Sequence, residues 1–411
     1  MSVFVNVGQC GNQVGGALMA MAKETKGNRR REHMRCILVD TEPKVVRSIR
    51  APAHVATVHM EQSGRGNNWA MGYNKAKNVD LCARVMESLR REIEATDCYR
   101  GGFILHSLAG GTGAGLGCRL LESMRDTYPK AYLVSGCVAP SMRGDTPLQN
   151  YNALFTLRHL QEYADAVLFK DNDDLVRSVA YWKSTQPAKE SSVSLADMNA
   201  LLAADWAGLL FPITQNKIRR VFDIGDFVTR VCPIPGAKFV DVRSAYYAQK
   251  LKPVSFSQYS SAAHQDPLPL MRLLVASFPR TTGLSLGQHI VVRGFKDPPH
   301  PLIDAVKKGI PRVEWGIPPP SMNVSTAPAS PTVALSSLTV CSNGTNVIPT
   351  IYSLLERAEK QFEARAYVHW FKKYGVDDNY FEESFTKAVD ILNEYTTLTA
   401  PDETYTDRVE D

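Results

Sequence analysis

The chain has 411 residues, 44% hydrophobic and 22% charged, with a net charge of +5, which is ordinary for a folded globular protein. It is long for a single core, so two or three domains are expected. No apolar run approaches the ~20 residues of a membrane helix, no signal peptide is expected ahead of the first strand-like segment, and the dispersed lysines and arginines argue against a nucleic-acid partner.

In chain order, Phe4-Val5-Asn6-Val7 is strand-like and runs into the small-residue turn Gly8-Gln9-Cys10-Gly11-Asn12-Gln13. Cys36–Val39 ends in Asp40-Thr41-Glu42-Pro43, two carboxylates at a strand end, where acids can hold Mg²⁺ through water. Gly64-Arg65-Gly66-Asn67-Asn68-Trp69-Ala70 is a second turn with paired carboxamides. The apolar segment Phe103–Leu108 then meets Ala109-Gly110-Gly111-Thr112-Gly113-Ala114-Gly115, with a helical pattern from Leu116. Glycines and a hydroxyl between a strand and a helix let backbone N–H groups close on an anion. No Lys-Ser or Lys-Thr follows and the register is not G-x-G-x-x-G, so neither common phosphate motif applies. A plain connecting turn is an equal reading of the run alone; the neighbouring turns favour one shared site.

Apolar runs at 131–138 and 166–169 extend the alternation and predict an α/β domain with a parallel sheet over 1–190. Ser194-Leu195-Ala196-Asp197 is a capping box, and Met198, Leu201, Leu202, Trp206 and Leu209 follow at helical spacing, so 191–212 reads as a connecting helix. A second α/β domain over 213–345 carries strand-like Lys238–Val242, Leu273–Phe278 and His289–Val292, and a proline-rich stretch, Pro298–Pro331, that reads as loop and edge structure. Two helices with a turn at Gly375 and a short, mildly acidic tail make up 346–411. The eight cysteines form no C-x-x-C pair and the nine histidines show no ligand spacing; reduced thiols are expected.

These segments resemble the tubulin family. The glycine run matches its signature loop with the first glycine replaced by Ala109, and 8–13 and 39–43 match its first two nucleotide loops. The likeness continues through Asn150-Tyr151-Asn152, Lys170-Asp171-Asn172-Asp173 and Arg365-Ala366-Tyr367-Val368-His369-Trp370. Segments 40–45, 66–70, 294–298 and 374–378 are most similar to the delta branch, with the zeta branch next. The resemblance implies a tubulin-like fold and a GTP/GDP site formed by Gly8, Gln9, Cys10, Gln13, Asn67, Ser107, Ala109, Gly110, Gly111, Thr112, Gly113, Gln149, Asn172, Leu195 and Asn199. Asn172 and Asn199 would read guanine, Cys10 would be a contact rather than a nucleophile, and Gln9, Asp40 and Glu42 would hold Mg²⁺.

Three positions depart from the alpha and beta pattern. Ala109 matters only if its backbone needs positive φ. Gln149 stands where an acidic ribose contact is usual, and Leu195 where an aromatic ring stacks on the base. Counting back from Cys232-Pro233-Ile234-Pro235, the catalytic-loop acids are Asp223 and Asp226, expected to act on a neighbouring subunit's nucleotide; a helix N-terminus favouring acids is the rival reading. The resemblance implies a cytoplasmic cytoskeletal protein at centrioles or basal bodies, with other tubulin subunits or centriolar proteins as partners. The resemblance further implies a GTPase acting on longitudinal contact or, alternatively, a non-hydrolysing structural or capping subunit. Only 26 residues lie between Gln13 and Asp40, a shortened loop that would compromise lateral wall contacts.

Overall fold

A computed structural model describes residues 2–24, 35–49, 55–144, 146–184, 192–215, 218–248, 267–278, 284–295, 301–313, 315, 319–328 and 334–400. Residues 25–34, the middle of the shortened interval between Gln13 and Asp40, and the end of the tail (401–411) lie outside the described residues.

The strands are β1 (Ser2–Val7), β2 (Arg35–Asp40), β3 (Val55–Met60), β4 (Gly101–Ser107), β5 (Tyr132–Ala139) and β6 (Ala166–Asp171). They continue with the short β7 (Ile213–Gln215) and β8 (Ile218–Arg220), then β9 (Phe239–Ala248), β10 (Ser285–Arg293), β11 (Ser321–Ser325) and β12 (Ala334–Gly344). β7 and β8 pair as a hairpin; the others form one sheet in the order β11-β10-β12-β9-β6-β5-β4-β1-β2-β3. From β3 across to β9 every pairing is parallel, whereas β12 runs antiparallel to both neighbours.

The parallel strands read as nearly continuous apolar runs because helices cover both faces. Phe4, Leu38, Phe103 and Leu105 pack with Leu18, Leu202 and Trp206 on one face. Val3, Val5, Ile37 and Ile104 face the other way, onto Leu81, Leu120 and Ile391. The expected α/β architecture is what forms.

The central helix, Leu195–Leu210, starts at the predicted capping box: Ser194 accepts from Asp197 N, and the Asp197 carboxylate accepts from Ser194 N at 2.9 Å. From Leu202 to Leu210 it is buried throughout. The C-terminal helices, Ile348–Glu363 and Asp378–Thr399, pack on the helix Gln149–Tyr163, and Gly375 turns between them at φ +93.

Two expectations fail in the second half. Leu273–Phe278 is not a strand but belongs to the helix Pro267–Ser277 and its end. Its buried positions, Leu270, Met271, Leu274 and Phe278, follow a helical period, and Pro267 sits at the first turn, where its missing N–H costs nothing. Within the proline-rich stretch the helix Pro301–Gly309 forms by the same device, burying Leu302 and Val306. The rest of that stretch does supply an edge strand, β11.

The two halves share the sheet through a short join, Val167↔Phe239 and Leu168↔Val240. Beside it lies a buried ionic group. Arg243 holds Asp241 at 2.7 Å and Asp174 at 2.8 Å, and Lys170 reaches Asp174 at 3.2 Å.

Candidate functional site

The strand order reverses direction between β1 and β4, so the chain leaves their carboxyl ends on opposite sides and opens a crevice there. A cavity of about 370 Å³ occupies that position. Its walls bring together Gln9, Cys10 and Gln13 after β1, Asp40 and Glu42 after β2, Asn67, and Ser107 with Ala109–Gly113 after β4. Gln149, Asn172, Leu195 and Asn199 complete the set. Gly8 stands behind the wall, and Asp223 and Asp226 lie elsewhere.

Glycine is required where the loops touch. Gly8 has φ +71, and a Cβ there would come within 2.7 Å of Gly113 N. A Cβ on Gly111 would meet Arg65 O at 2.5 Å. Ala109 is not a positive-φ residue, so its methyl costs no backbone strain. The run continues as a π-helical turn, Gly111–Leu116, into the helix Gly117–Thr127, a wide turn often found at functional sites.

Side chains behind the wall fix these loops. Asn152 donates to Asn67 O and Ala109 O, each at 2.7 Å, and accepts from Trp69 N at 2.9 Å. Asn67 itself is left-handed, φ 48. Asn68 caps the helix Trp69–Tyr73 and donates to Trp370 O at 3.1 Å, tying the turn to the C-terminal region. His106 lies beneath the glycine loop, 2.8 Å from Ser135 Oγ; burial pushes its pKa down to about 4, so it is neutral.

At the other end of the cavity, Asn199 donates to Gln13 Oε1 at 3.1 Å, and Gln149 donates to Ser141 O at 3.2 Å. Asn172 opens the helix Asn172–Ser184. Leu175, Met198 and Leu202 give that end an apolar floor, and Leu195 is half exposed at the rim. Burial pushes the Cys10 thiol up to about 12, away from thiolate character near neutral pH.

Among the described residues no lysine or arginine lines the cavity, and Asp40 and Glu42 are acidic. A polyanion here would be held by backbone N–H groups and helix N-termini, and needs a cation to offset the carboxylates. Burial raises the Asp40 pKa, against hydrogen bonds from Glu42 N, Thr41 N and Asn12 that favour its charged form. No cluster of three or more acidic, histidine or cysteine ligands exists among the described residues. That donor set fits Mg²⁺, which keeps several waters and takes one or two carboxylates beside phosphates.

Asp223 and Asp226 sit at the far end of the sheet. Asp223 caps the helix Ile224–Val231, accepting from Gly225 N at 3.0 Å and Asp226 N at 3.2 Å, and pairs with Arg100 at 2.6 Å. Arg100 precedes β4, whose opposite end carries Ser107; those seven residues span about 23 Å. Asp226 pairs with Arg230 at 2.6 Å on an exposed face. Neither acid reaches the cavity of its own chain.

Sequence reasoning overlooked the segment after β5. Ser141, Gly144 and Thr146 line the cavity, and Asp173 anchors the segment through Ser141 Oγ at 2.5 Å and Met142 N at 2.7 Å. The signal was available, since β5 ends at the same carboxyl edge as β1 and β4.

A doubly wound sheet with a glycine-lined crevice at its switch point defines a nucleotide-binding class of fold. Residues 2–180 match the Tubulin/FtsZ family, GTPase domain. The chain is similar to the human tubulin delta chain, 25% identical across 96% of this chain and 99% of the relative. The Macaca fascicularis tubulin delta chain is 24% identical with the same coverage. The human tubulin beta-1 chain is 27% identical, covering 96% of this chain and 93% of the relative.

Proposed function

We propose that the cavity binds GTP or GDP with Mg²⁺, and that the chain serves as a delta-like subunit whose partners are other tubulin subunits or centriolar proteins. The observation that carries this reading is the convergence of the predicted loops on one cavity with neutral donors and two carboxylates. Gln9, Asp40 and Glu42 are the residues that would hold the cation, directly or through water; it would neutralise phosphate charge. Backbone N–H groups of the glycine run would hold the phosphates, and Asn172 and Asn199 can each offer a donor and an acceptor to a base edge. Purified protein should release guanine nucleotide on denaturation, detected by ion-exchange chromatography of the supernatant. Absence of nucleotide together with no uptake of added GTP ends this reading.

Hydrolysis on longitudinal contact is part of the same proposal, with Asp226 orienting water on the nucleotide of a neighbouring subunit. Its half-exposed position far from its own cavity supports action in trans. The ion pair with Arg230 favours the alternative, a subunit that holds GTP without hydrolysing it, and Asp223 is already engaged as a helix cap. GTP turnover measured alone and mixed with alpha/beta-tubulin separates the two. Cytoplasmic location at centrioles or basal bodies rests on the delta-like segments; a tagged copy spread evenly along microtubules would count against it.

A further inference from the structure

Three loops of the cavity are tied together by one hydrogen-bond relay. Asn12, after β1, donates to Val39 O at 2.9 Å and to Asp40 Oδ2 at 3.4 Å. The other oxygen, Asp40 Oδ1, accepts from Thr41 N at 2.8 Å and Glu42 N at 3.2 Å, which curls the acidic loop back on itself. That curl brings the Thr41 hydroxyl to 2.6 Å from the hydroxyl of Thr112 in the glycine run. Thr112 lines the cavity, whereas Thr41 is fully buried behind it.

A threonine hydroxyl has one proton to give and two lone pairs to receive. Between two hydroxyls alone, either can be the donor. An ionised phosphoryl oxygen only accepts, so Thr112 facing one must point its O–H into the cavity and accept a hydrogen bond from the Thr41 hydroxyl. The direction of the relay is then fixed, from Thr41 Oγ1 to Thr112 Oγ1 to phosphate. Chained hydrogen bonds of one polarity strengthen each other in a buried setting.

We propose that Thr41 is a positioning residue for phosphate recognition. It acts through Thr112 and joins the acidic loop, with Asp40 and Glu42, to the phosphate-facing hydroxyl. The inference rests on the nucleotide reading above and deepens it: the acidic loop and the glycine run respond to phosphate as one unit.

Thr41→Val keeps the shape and removes the donor. It should weaken both GTP and GDP binding roughly three- to tenfold, measured by calorimetric titration in excess Mg²⁺. Thr41→Ser should stay within twofold of the unaltered chain, because it keeps the hydroxyl. A double-mutant cycle supplies the readout that a merely structural role would not move. In a Thr112→Val background, Thr41→Val should cost no further affinity. If Thr41→Val does not fold, as judged by thermal melting, Thr41→Ala against Thr41→Ser carries the same comparison in both backgrounds. Unchanged affinity on loss of the Thr41 hydroxyl overturns the relay, as does an equal loss with and without the Thr112 hydroxyl. Either result leaves nucleotide binding standing. If the unaltered chain binds neither GTP nor GDP, the nucleotide reading fails first and the relay with it.

Discussion

Asn152 holds Asn67 and Ala109 with a single amide nitrogen, donating to both carbonyls at 2.7 Å. The two acceptors belong to different loops of the cavity, and the same side chain accepts a hydrogen bond from Trp69 N on its other side. Asn152 does not itself line the cavity. It determines how far apart two of the cavity's walls stand.

Asn152→Ala should therefore lower stability by about 3 kcal/mol, since it strands one buried N–H and two carbonyls. Guanine nucleotide affinity should fall tenfold or more. Thermal melting and nucleotide titration check the pair of effects; loss of affinity without loss of stability would contradict the clamp.

Gly8→Ala places a methyl on a left-handed backbone within 2.7 Å of Gly113 N, which belongs to backbone and cannot swing aside. We expect a stability loss on the order of 2 kcal/mol or more, read as a lower melting temperature. Ala109→Gly, at a position with no positive φ, should not raise stability.

Leu195 is half exposed at the cavity rim, at the first turn of the central helix. Leu195→Tyr or Leu195→Phe offers a ring to stack on a base and should tighten guanine nucleotide binding about fivefold, within the usual worth of an aromatic stack. Titration of both variants against the unaltered chain tests this. No tightening by either would mean the base does not lie against this residue.

The fold should be acid-labile in a defined window. Burial pushes His106, His159 and His289 each down to about 4. Unfolded imidazoles take up protons near ~6.5, so between these values the unfolded state binds more protons and stability falls as pH falls. The histidine contribution is fully present above about pH 7. Asp205, raised to about 6 by burial, and Asp40, also raised, act with the opposite sign in part of the window. Three imidazoles outweigh two carboxyls. Denaturant titrations at pH 7.5 and about 5 should show the loss, and His106→Gln should reduce it.

Asp226→Ala should leave nucleotide binding and melting unchanged, because the residue is exposed and its ion pair, with Arg230, lies on its own helix. Under the hydrolysing reading it abolishes the rise in turnover caused by a partner subunit. Under the non-hydrolysing reading no such rise exists in the unaltered chain either. Phosphate-release assays across protein concentration distinguish them.

Much of the cavity was legible in the sequence because its chemistry is local. Gly8, Gly111 and Gly113 are glycines for steric reasons that act on neighbouring backbone, and Asp40 and Glu42 follow directly from the end of a strand. The clamp was not legible. Asn152 lies 43 residues from Ala109 and 85 from Asn67, and only the strand order brings them together. The helix Pro267–Ser277 was misread because Leu273–Phe278, taken alone, is a short apolar run that fits a strand or a buried helix equally. Proline at its first turn was the deciding signal. The far-end acids were legible by position only; that Asp223 spends its oxygens on its own helix depends on the backbone it caps.

The sheet has a crease. Between β6 and β9 only two registered pairs carry the parallel half into the antiparallel block, against five or more at most other joins. A sheet changes curvature most cheaply where fewest rungs must tilt. Here that line runs alongside β6, the strand that delivers Asn172 to the cavity, and the charges of Lys170, Asp174, Asp241 and Arg243 stitch its edges. Bending of this subunit within an assembly would be concentrated beside the residue expected to read the base. Shape and nucleotide occupancy would then be two readings of one mechanical element.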